Sequence, residues 1–295
     1  MPTTLPHTQP LTVWSEMPRE LRQPRRSRWA DINAGGRELG CFLEGPVIDE
    51  AGNLLVVDIP FGRILRIDRA GRWSVVMEYD GWPNGMKLSH GRLLVADHKQ
   101  GLLAIDLATG VREVLLSSVD NGPLRGLNDL FFAPDGTLYV TDQGQSGLHD
   151  PSGRVLRRSA DGVVDIILSN CPSPNGLVVD PMSRWLYVAM TRANAVWRVP
   201  FVDGRPAKVG LAIQLSGGIG PDGLALDPNG NLLAAHPPFG VWQFDANNLP
   251  LRLFTAPAGS FVTNLAVAHG SHPPRIYATD SMNGRILSAA LEAAE

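Results

Sequence analysis

Short apolar segments recur along the chain in pairs, each pair introduced by a polar residue and divided by a turn. One such unit begins at Asp222, passes through apolar residues 224–226, turns at Pro228-Asn229-Gly230 and ends in a second apolar segment before His236. The arrangement occurs six times at intervals of 40 to 47 residues, and its leading residues are Glu44, Asn84, Asn128, Asn175, Asp222 and Asn264. Short strands that repeat at this interval are typical of a β-propeller.

Two further strands follow the first pair in most units. The first strand of each unit is almost wholly apolar, as expected for an innermost strand covered on both faces, whereas the later strands alternate apolar with polar residues. The last unit ends near Ala290 after three strands, while the strand-like residues 11–17 precede the first unit without a partner. We therefore predict an all-β, six-bladed β-propeller with four antiparallel strands per blade, closed by residues 11–17 as the missing outer strand.

The repeats leave no interval for a second core, so residues 1–295 are predicted to form a single domain. Residues 1–10 are predicted to be disordered, and the polar, arginine-containing segment 21–40 is predicted to be a solvated loop.

Composition narrows the classes of partner and compartment. The net charge is −3, and no basic run with interleaved aromatic residues occurs, so neither nucleic acid nor a membrane is expected as a partner. No apolar window is long enough for a transmembrane helix, and the N-terminus lacks the features of a signal peptide. The two cysteines, Cys41 and Cys171, are too few for a disulfide framework. These features predict a cytoplasmic protein and leave its oligomeric state open.

The polar leading residues are predicted to surround one mouth of the central channel. Each innermost strand starts at its leading residue, and the antiparallel second strand returns to the same end. A single Pro-Asn-Gly or Pro-Asp-Gly is ordinary turn chemistry, and that interpretation holds for Pro134-Asp135-Gly136 between two strands. An oxygen at every leading position exceeds what a turn requires, and converging carboxylate and amide oxygens are ligands of hard divalent cations. No Cys or His shares the pattern, which disfavours a thiolate zinc site.

Four motifs resemble signatures of the gluconolactonase, regucalcin (senescence marker protein) and LRE-like family. They occur in order within residues 44–287 and are Glu44-Gly45-Pro46, Leu127-Asn128-Asp129-Leu130, Pro174-Asn175-Gly176-Leu177 and Gly220-Pro221-Asp222-Gly223-Leu224-Ala225-Leu226-Asp227. The resemblance implies a six-bladed propeller with one catalytic divalent cation, Ca²⁺ as the first choice and Zn²⁺, Mg²⁺ or Mn²⁺ as alternatives. It also implies that Glu44, Asn175 and Asp222 are metal ligands. Asn128 contacts either the metal or the substrate in relatives.

The reaction implied by the resemblance is hydrolysis of a sugar lactone or another small lactone to the hydroxy acid. The cation would polarise the lactone carbonyl, lower the pKa of a nearby water and stabilise the developing oxyanion. Asp222 is the predicted general base, with His98, His149 and His236 as rivals on the same face. The predicted substrate contacts are Asn128, Arg125, Trp82, His149, His236 and Met282.

Two positions depart from the family pattern. Lactonases of the regucalcin type carry an arginine two residues before the asparagine that corresponds to Asn128, whereas this chain has Gly126 there and Arg125 one residue earlier. The phosphotriesterase branch carries an aspartate where this chain has Ala225, so a second central cation is not expected. The long loop Gln143–Gly153 is predicted to form part of the pocket wall. Trp82, Phe61, Phe239 and Met282 are predicted to supply apolar contacts in this pocket. An apolar wall without that arginine suggests a lactone less hydroxylated than an aldonolactone.

Two other functions stay open at this point. One is a metal-dependent phosphotriesterase of the diisopropyl fluorophosphatase type, which would place a substrate oxygen on the same cation. The other is a non-enzymatic propeller that binds a partner through its loops, for which coordinated oxygens at the channel mouth would be unnecessary.

Overall fold

The structure, a computed structural model, describes residues 6–291 and is built almost entirely of β-strands. Six sheets follow one another along the chain as the blades of a propeller, so the predicted six-bladed architecture is confirmed. Two strands precede the blades, β1 (His7–Pro10) and β2 (Thr12–Glu16).

The first three blades each contain four antiparallel strands in sequential order. Blade one comprises β3 (Leu43–Ile48), β4 (Leu54–Asp58), β5 (Arg63–Ile67) and β6 (Trp73–Glu78). Blade two comprises β7 (Pro83–Ser89), β8 (Arg92–Asp97), β9 (Gly101–Asp106) and β10 (Arg112–Leu116), and the small hairpin β11 (Ser118–Val119) and β12 (Gly122–Pro123) follows it. Blade three comprises β13 (Leu127–Phe132), β14 (Leu138–Asp142), β15 (Gly153–Arg158) and β16 (Val164–Cys171).

The last three blades repeat this order with small additions. Blade four comprises β17 (Pro174–Val179), β18 (Trp185–Met190), β19 (Ala195–Val202), β20 (Arg205–Pro206) and β21 (Gly210–Gln214). Blade five comprises β22 (Leu224–Leu226), β23 (Leu232–His236), β24 (Gly240–Phe244) and β25 (Pro250–Thr255). Blade six comprises β26 (Val262–Ala268), β27 (Arg275–Asp280) and β28 (Arg285–Ala290).

Burial follows the position of a strand in its blade. All residues of the innermost strand β17 are buried, whereas the outer strand β10 is largely exposed. The core lies between adjacent blades, where Leu55 and Val57 of blade one pack with Met86 and Val95 of blade two. Removal of these apolar side chains from water is the main force that holds neighbouring blades together.

The ring is closed by the N-terminal strand, as predicted. Strand β2 pairs antiparallel with β28, with Thr12 opposite Ser288, and supplies the fourth strand of blade six. The predicted disorder of residues 1–10 is wrong for β1, which pairs in parallel with β25 of blade five. The side chains of β1 are mostly exposed, so its sequence carries no apolar pattern that would predict a strand. Backbone hydrogen bonds at a sheet edge hold it in place. Residues 1–5 lie outside the described residues.

The segment between β2 and β3 is largely exposed, as its polar sequence predicts, but it is not irregular throughout. It contains a short 3₁₀ turn, Arg19–Leu21, and the helix α1 (Arg28–Asn33), whose first turn is capped by the Ser27 hydroxyl. Trp29 of α1 packs against Phe42 with ring centroids 4.8 Å apart. The segment therefore folds back over the blades through Trp29 while most of its polar residues stay exposed.

A break in strand register lies at the leading position of every blade except blade five. The pairing shifts between Glu44 and Val47 in blade one, and between Val262 and Asn264 in blade six. Comparison of the registers places Thr263, not Asn264, at the leading position of blade six, because Val262 faces Asp280 as Leu43 faces Asp58. The prediction that Asn264 heads the sixth unit is thus wrong by one residue.

Candidate active site

Five leading residues meet in a cavity of about 220 Å³ at one mouth of the channel. These are Glu44, Asn84, Asn128, Asn175 and Asp222, one from each of the first five blades. The structure therefore brings the four residues proposed as metal ligands to one place. Among residues 6–291, no group of three or more His, Cys, Asp or Glu side chains forms a metal-binding cluster, so the oxygens that converge here are a mixed set of carboxylates and amides.

Glu44 is held in place by two hydrogen bonds to one of its carboxylate oxygens. Oε2 accepts from the backbone N–H of Gly45 at 2.9 Å and from Nδ2 of Asn264 at 2.8 Å. The residue is only 4% exposed, and this burial raises the pKa of Glu44 from 4.5 to about 7. Asn264, displaced by one residue from the ring, thus serves to position Glu44.

The amide nitrogen of Asn175 is engaged in a hydrogen bond at the cavity wall, and Asn175 also lies within hydrogen-bonding reach of Asp222. The Thr191 hydroxyl donates to the carbonyl of Pro221 at 2.7 Å, so its oxygen is left to accept a hydrogen bond. Nδ2 of Asn175 supplies that bond at 3.2 Å. The carbonyl of Pro221 can only accept, so it fixes the direction of both hydrogen bonds. Oδ1 of Asn175 is then free for a cation.

Asn128 is oriented by a residue of its own blade, which is held in turn by blade four. Its Nδ2 donates to Oε1 of Gln143 at 2.9 Å, and Nε2 of Gln143 donates in turn to the Ser173 hydroxyl at 2.9 Å. Ser173 lies one residue before β17, so this chain ties blade three to blade four. Oδ1 of Asn128 is again the atom left without a donor.

The carboxyl group of Asp222 has a strongly shifted pKa. Burial, followed by the charges of Glu44 and Asp129, raises the pKa of Asp222 well above its ordinary value. Two carboxylates and two amide oxygens that converge in a buried space suit a hard divalent cation, whose charge would balance both carboxylates. The donor set therefore fits the metal that the sequence predicts.

Glycine follows most of the leading residues because adjacent blades touch there. A methyl group on Gly176 would lie 2.6 Å from the carbonyl oxygen of Asp222, and the N–H of Gly176 donates to that same oxygen at 3.1 Å. A methyl group on Gly85 would lie 2.7 Å from Cα of Asp129. These close approaches bring the leading side chains near enough to share one site.

Of the predicted substrate contacts outside the ring, Met282 lines the cavity. Trp82 does not line the cavity; its ring is tilted against that of His98, with the centroids 5.8 Å apart. The predicted apolar contacts Phe61 and Phe239 do not line the cavity either: Phe61 packs against the Arg25 guanidinium, and Phe239 is 40% exposed. Arg125 is exposed, and its backbone N–H donates to Asp142. His149 is exposed on the long loop and lines a neighbouring, outer cavity.

His236 is placed for structure and does not line the cavity. Nε1 of Trp242 donates to its Nδ1 at 3.3 Å, and its Nε2 donates to the carbonyl of Gly217 at 3.1 Å. Burial lowers the pKa of His236, so the neutral ring is favoured. With both nitrogens engaged, His236 has no atom left for a substrate or a proton transfer.

His98 is the histidine that reaches the cavity. Burial lowers the pKa of His98, so the imidazole is neutral near neutral pH. Its ring occupies the space above Gly126, where an added methyl group would lie 2.6 Å from Nδ1. His98 is therefore the histidine best placed to compete with Asp222 as a base.

The aspartates at the ends of the second strands share this face but have structural roles. Asp142 accepts from the backbone N–H groups of Arg125 and Gly126, at 2.7 and 2.9 Å, and is paired with Arg154. Asp58 and Asp280 form the same arrangement in blades one and six, with Arg63 and Arg285 as their partners. Each carboxylate fastens the loop that leads into its own blade.

Several cavity residues are absent from the predicted site. The apolar wall combines the predicted Met282 with Trp29, Phe42, Ile59 and Phe261, which the prediction lacks. The polar rim likewise combines Gln145 of the predicted long loop with Asn33, Ser173 and Arg192, which the prediction lacks. Trp29 and Asn33 come from α1, and Arg192 comes from the 3₁₀ turn Thr191–Ala193 after β18. None of these residues belongs to the repeated leading position. The available signal for Arg192 was a basic residue two positions after the end of a second strand, on the predicted face.

Within residues 6–291, no helix has the length and apolar character needed to cross a membrane.

Fold and cavity together define a six-bladed propeller whose channel mouth carries convergent carboxylate and amide oxygens. The sequence profile described as SMP-30/Gluconolactonase/LRE-like region matches residues 42–279. The chain belongs to this family.

Named relatives agree with this assignment. A gluconolactonase of Zymomonas mobilis is 29% identical over 263 aligned residues, which cover 76% of this chain and 72% of that protein. A diisopropyl-fluorophosphatase of Loligo vulgaris is 28% identical over 227 residues, covering 65% of this chain and 71% of that protein. A crystal structure of regucalcin, a calcium-binding protein from Agrobacterium tumefaciens, matches in fold with a TM-score of 0.75 at 21% identity, covering 98% of this chain and 97% of that one.

Proposed function

We propose that this protein is a divalent-cation-dependent lactonase that opens a small lactone to its hydroxy acid. One observation carries the proposal: two buried carboxylates and two side-chain amides, each amide with its nitrogen engaged in a hydrogen bond, converge in one cavity. The gluconolactonase among its relatives supports the choice of reaction. The calcium-binding regucalcin of the same fold supports Ca²⁺ as the cation to test first.

Glu44, Asn175 and Asp222 would hold the cation, with Asn128 as a fourth oxygen or as a contact to the substrate. When bound, the cation supplies a Lewis acid for the lactone carbonyl and lowers the pKa of a bound water. Glu44 is fixed by Gly45 and Asn264, and therefore holds its position before any ligand arrives. Such prior alignment keeps the cost of reorganisation out of the reaction.

Asp222 is the proposed general base. Its carboxylate lines the cavity beside the amides of Asn128 and Asn175, where an attacking water would lie. The apolar wall of Trp29, Phe42 and Phe261 excludes bulk water from the opposite side of the substrate. His98 is the rival base, since it reaches the same cavity with a neutral imidazole.

A phosphotriesterase activity is the second candidate, because a diisopropyl-fluorophosphatase is among the relatives. The same oxygens would hold the cation while a phosphoryl oxygen took the place of the carbonyl oxygen. A panel of lactones and fluorophosphates therefore decides between the two reactions at one site.

The test begins with metal analysis of the purified protein, followed by that panel with and without chelator. Asp222→Asn should keep the fold and lose hydrolysis at least about a hundredfold, because a ligand charge and the proposed base are both removed. Asp135→Asn is a matched control, since Asp135 stands in the same Pro-Asp-Gly tripeptide but is exposed at a turn between strands. Full activity in Asp222→Asn, or in fully chelated protein, would overturn the proposal.

A further inference from the structure

An outer cavity of about 520 Å³ adjoins the inner one and forms a vestibule to it. The two cavities share Asn33, Gln143, Gln145, Ser173 and Arg192 as lining residues. The remaining wall of the vestibule is the long loop between β14 and β15, including Gly147 and His149. A substrate whose ring lies in the inner cavity would therefore extend a substituent between Arg192 and this loop.

The backbone at Arg192 is held by hydrogen bonds of its neighbour next to the proposed metal ligands. Arg192 follows Thr191, whose hydroxyl joins Asn175 to Pro221 and so links blades four and five. The side chain is exposed to the vestibule, and a methyl group on Gly147 of the long loop would lie 3.9 Å from its Cγ. The backbone of Arg192 is thus fixed while its guanidinium faces the space that the substituent would enter.

Within residues 6–291, the charge of Arg192 has no ion-pair partner, whereas the buried arginines Arg63 and Arg154 are each paired with an aspartate. Glu44 and Asp222 line the inner cavity together with Arg192, and their charge is the one that the proposed cation would balance. A guanidinium left unpaired at a cavity wall is suited to bind an anion of the ligand.

Apart from His149, the other side chains of the vestibule, among them Asn33, Gln143, Gln145 and Ser173, are neutral and add hydrogen-bonding capacity without charge. Nε2 of Gln145 donates to Oδ1 of Asn33 at 3.3 Å across the opening between the long loop and α1. One cationic side chain among neutral amides matches a singly charged group, and a carboxylate fits a guanidinium through two parallel hydrogen bonds. A doubly charged phosphate would require more positive charge than this wall supplies.

We infer that the vestibule is a subsite for a carboxylate substituent of the substrate, with Arg192 as its anchor. The substrate class is then a lactone that carries a carboxylate on its ring or on a short side chain. This inference rests on the proposed function, and it assigns to Arg192 a role in specificity, not in the chemical step.

The kinetic test compares two probes with the same ring, γ-butyrolactone-γ-carboxylate and its neutral amide. Wild-type protein should hydrolyse the carboxylate with the higher kcat/KM, and Arg192→Gln should lower the carboxylate-to-amide ratio about tenfold, mainly through KM. Arg192→Lys should restore part of the ratio, because it keeps the charge but not the planar fork. Arg205→Gln is the matched control, since Arg205 is exposed on the outer hairpin of blade four and lines neither cavity. The control should keep the wild-type ratio.

A binding measurement separates this inference from the proposed reaction. Tetrahydrofuran carboxylate has no lactone carbonyl, so calorimetric titration of the cation-loaded protein reports the subsite without hydrolysis. Its Kd should rise about tenfold in Arg192→Gln and stay unchanged in Arg205→Gln. An unchanged Kd in Arg192→Gln would mean that the carboxylate binds elsewhere, and an unchanged ratio in the kinetic test would mean the same. Either result overturns the subsite, whereas failure to hydrolyse any lactone with normal binding would overturn only the reaction.

Discussion

The hydroxyl of Thr191 controls which atom of Asn175 faces the cavity, and its removal is a direct test of the proposed metal site. Thr191→Val keeps the shape of the side chain but deletes two hydrogen bonds, one from Asn175 Nδ2 at 3.2 Å and one to the carbonyl of Pro221 at 2.7 Å. Asn175 can then rotate its amide and place the nitrogen where a cation requires oxygen. The side chain of Thr191 is 7% exposed, so water does not readily replace the lost partners.

The expected magnitude follows from these two bonds. A buried polar group left without its partner costs about 1 to 3 kcal/mol, and the carbonyl of Pro221 is such a group. The free energy of unfolding should therefore fall by about 2 kcal/mol without cation. Loss of a group that orients a metal ligand weakens metal binding about tenfold to a hundredfold, so the Kd for Ca²⁺ should rise by that factor.

The assay is calorimetric titration of chelator-treated protein with Ca²⁺, accompanied by thermal unfolding with and without the ion. Thr191→Ser is the matched control, because it keeps the hydroxyl and should bind the ion like the wild type. Wild-type affinity in Thr191→Val would refute the argument, since it would show that Asn175 is not a ligand or is oriented by other contacts. A fall in stability without any change in affinity would lead to the same conclusion.

Three further predictions concern protons, closure and a buried ion pair. Burial raises the pKa of Glu44 from 4.5 to about 7, so the free energy of unfolding of the chelated protein should fall as pH rises from 4.5 to 7. The affinity for Ca²⁺ should rise over the same range and level off above it. Titration in two buffers measures the protons released on binding. Deletion of residues 1–17 should expose the edges of β25 and β28, lowering Tm and solubility; an unchanged Tm would contradict the closure. Arg154→Met leaves the fully buried Asp142 unpaired and should cost about 3 to 5 kcal/mol in denaturant unfolding, whereas the exposed control Arg72→Met should cost less than about 1 kcal/mol.

The part of the site that the sequence could predict is the part built by repetition. Equivalent strands place their first side chains at one mouth, so Glu44, Asn128, Asn175 and Asp222 could be assigned to one cavity before any coordinates. The same logic failed by one position at the last unit, where Thr263 leads and Asn264 follows. Leu127-Asn128-Asp129-Leu130 and Val262-Thr263-Asn264-Leu265 both contain an asparagine, so a comparison by residue type aligns Asn264 with Asn128. The strand register instead aligns Thr263 with Asn128.

The part that could not be predicted comes from segments outside the repeat. Trp29 reaches the cavity only because α1 folds back across the mouth, and its contact with Phe42 joins residues that no local pattern relates. Arg192 follows a second strand whose end is buried, and nothing in the sequence tells whether the next side chain points inward or outward. His236 shows the converse, since its position on the correct face was predictable but its engagement by Trp242 and Gly217 was not.

One departure from the family pattern acquires a physical meaning from the structure. Position 126, where the resemblance expects an arginine, is a glycine with φ of +137°, a conformation that side chains disfavour. The His98 ring fills the space that such a side chain would occupy, so an arginine at 126 and a histidine in this position exclude each other. This wall of the cavity therefore carries a neutral imidazole where the family resemblance implies a cation, and Arg192 brings positive charge from blade four. In the proposed lactonase, moving the cationic contact from one wall to another would change which end of the substrate is recognised, while the oxygens proposed for the cation stay in place.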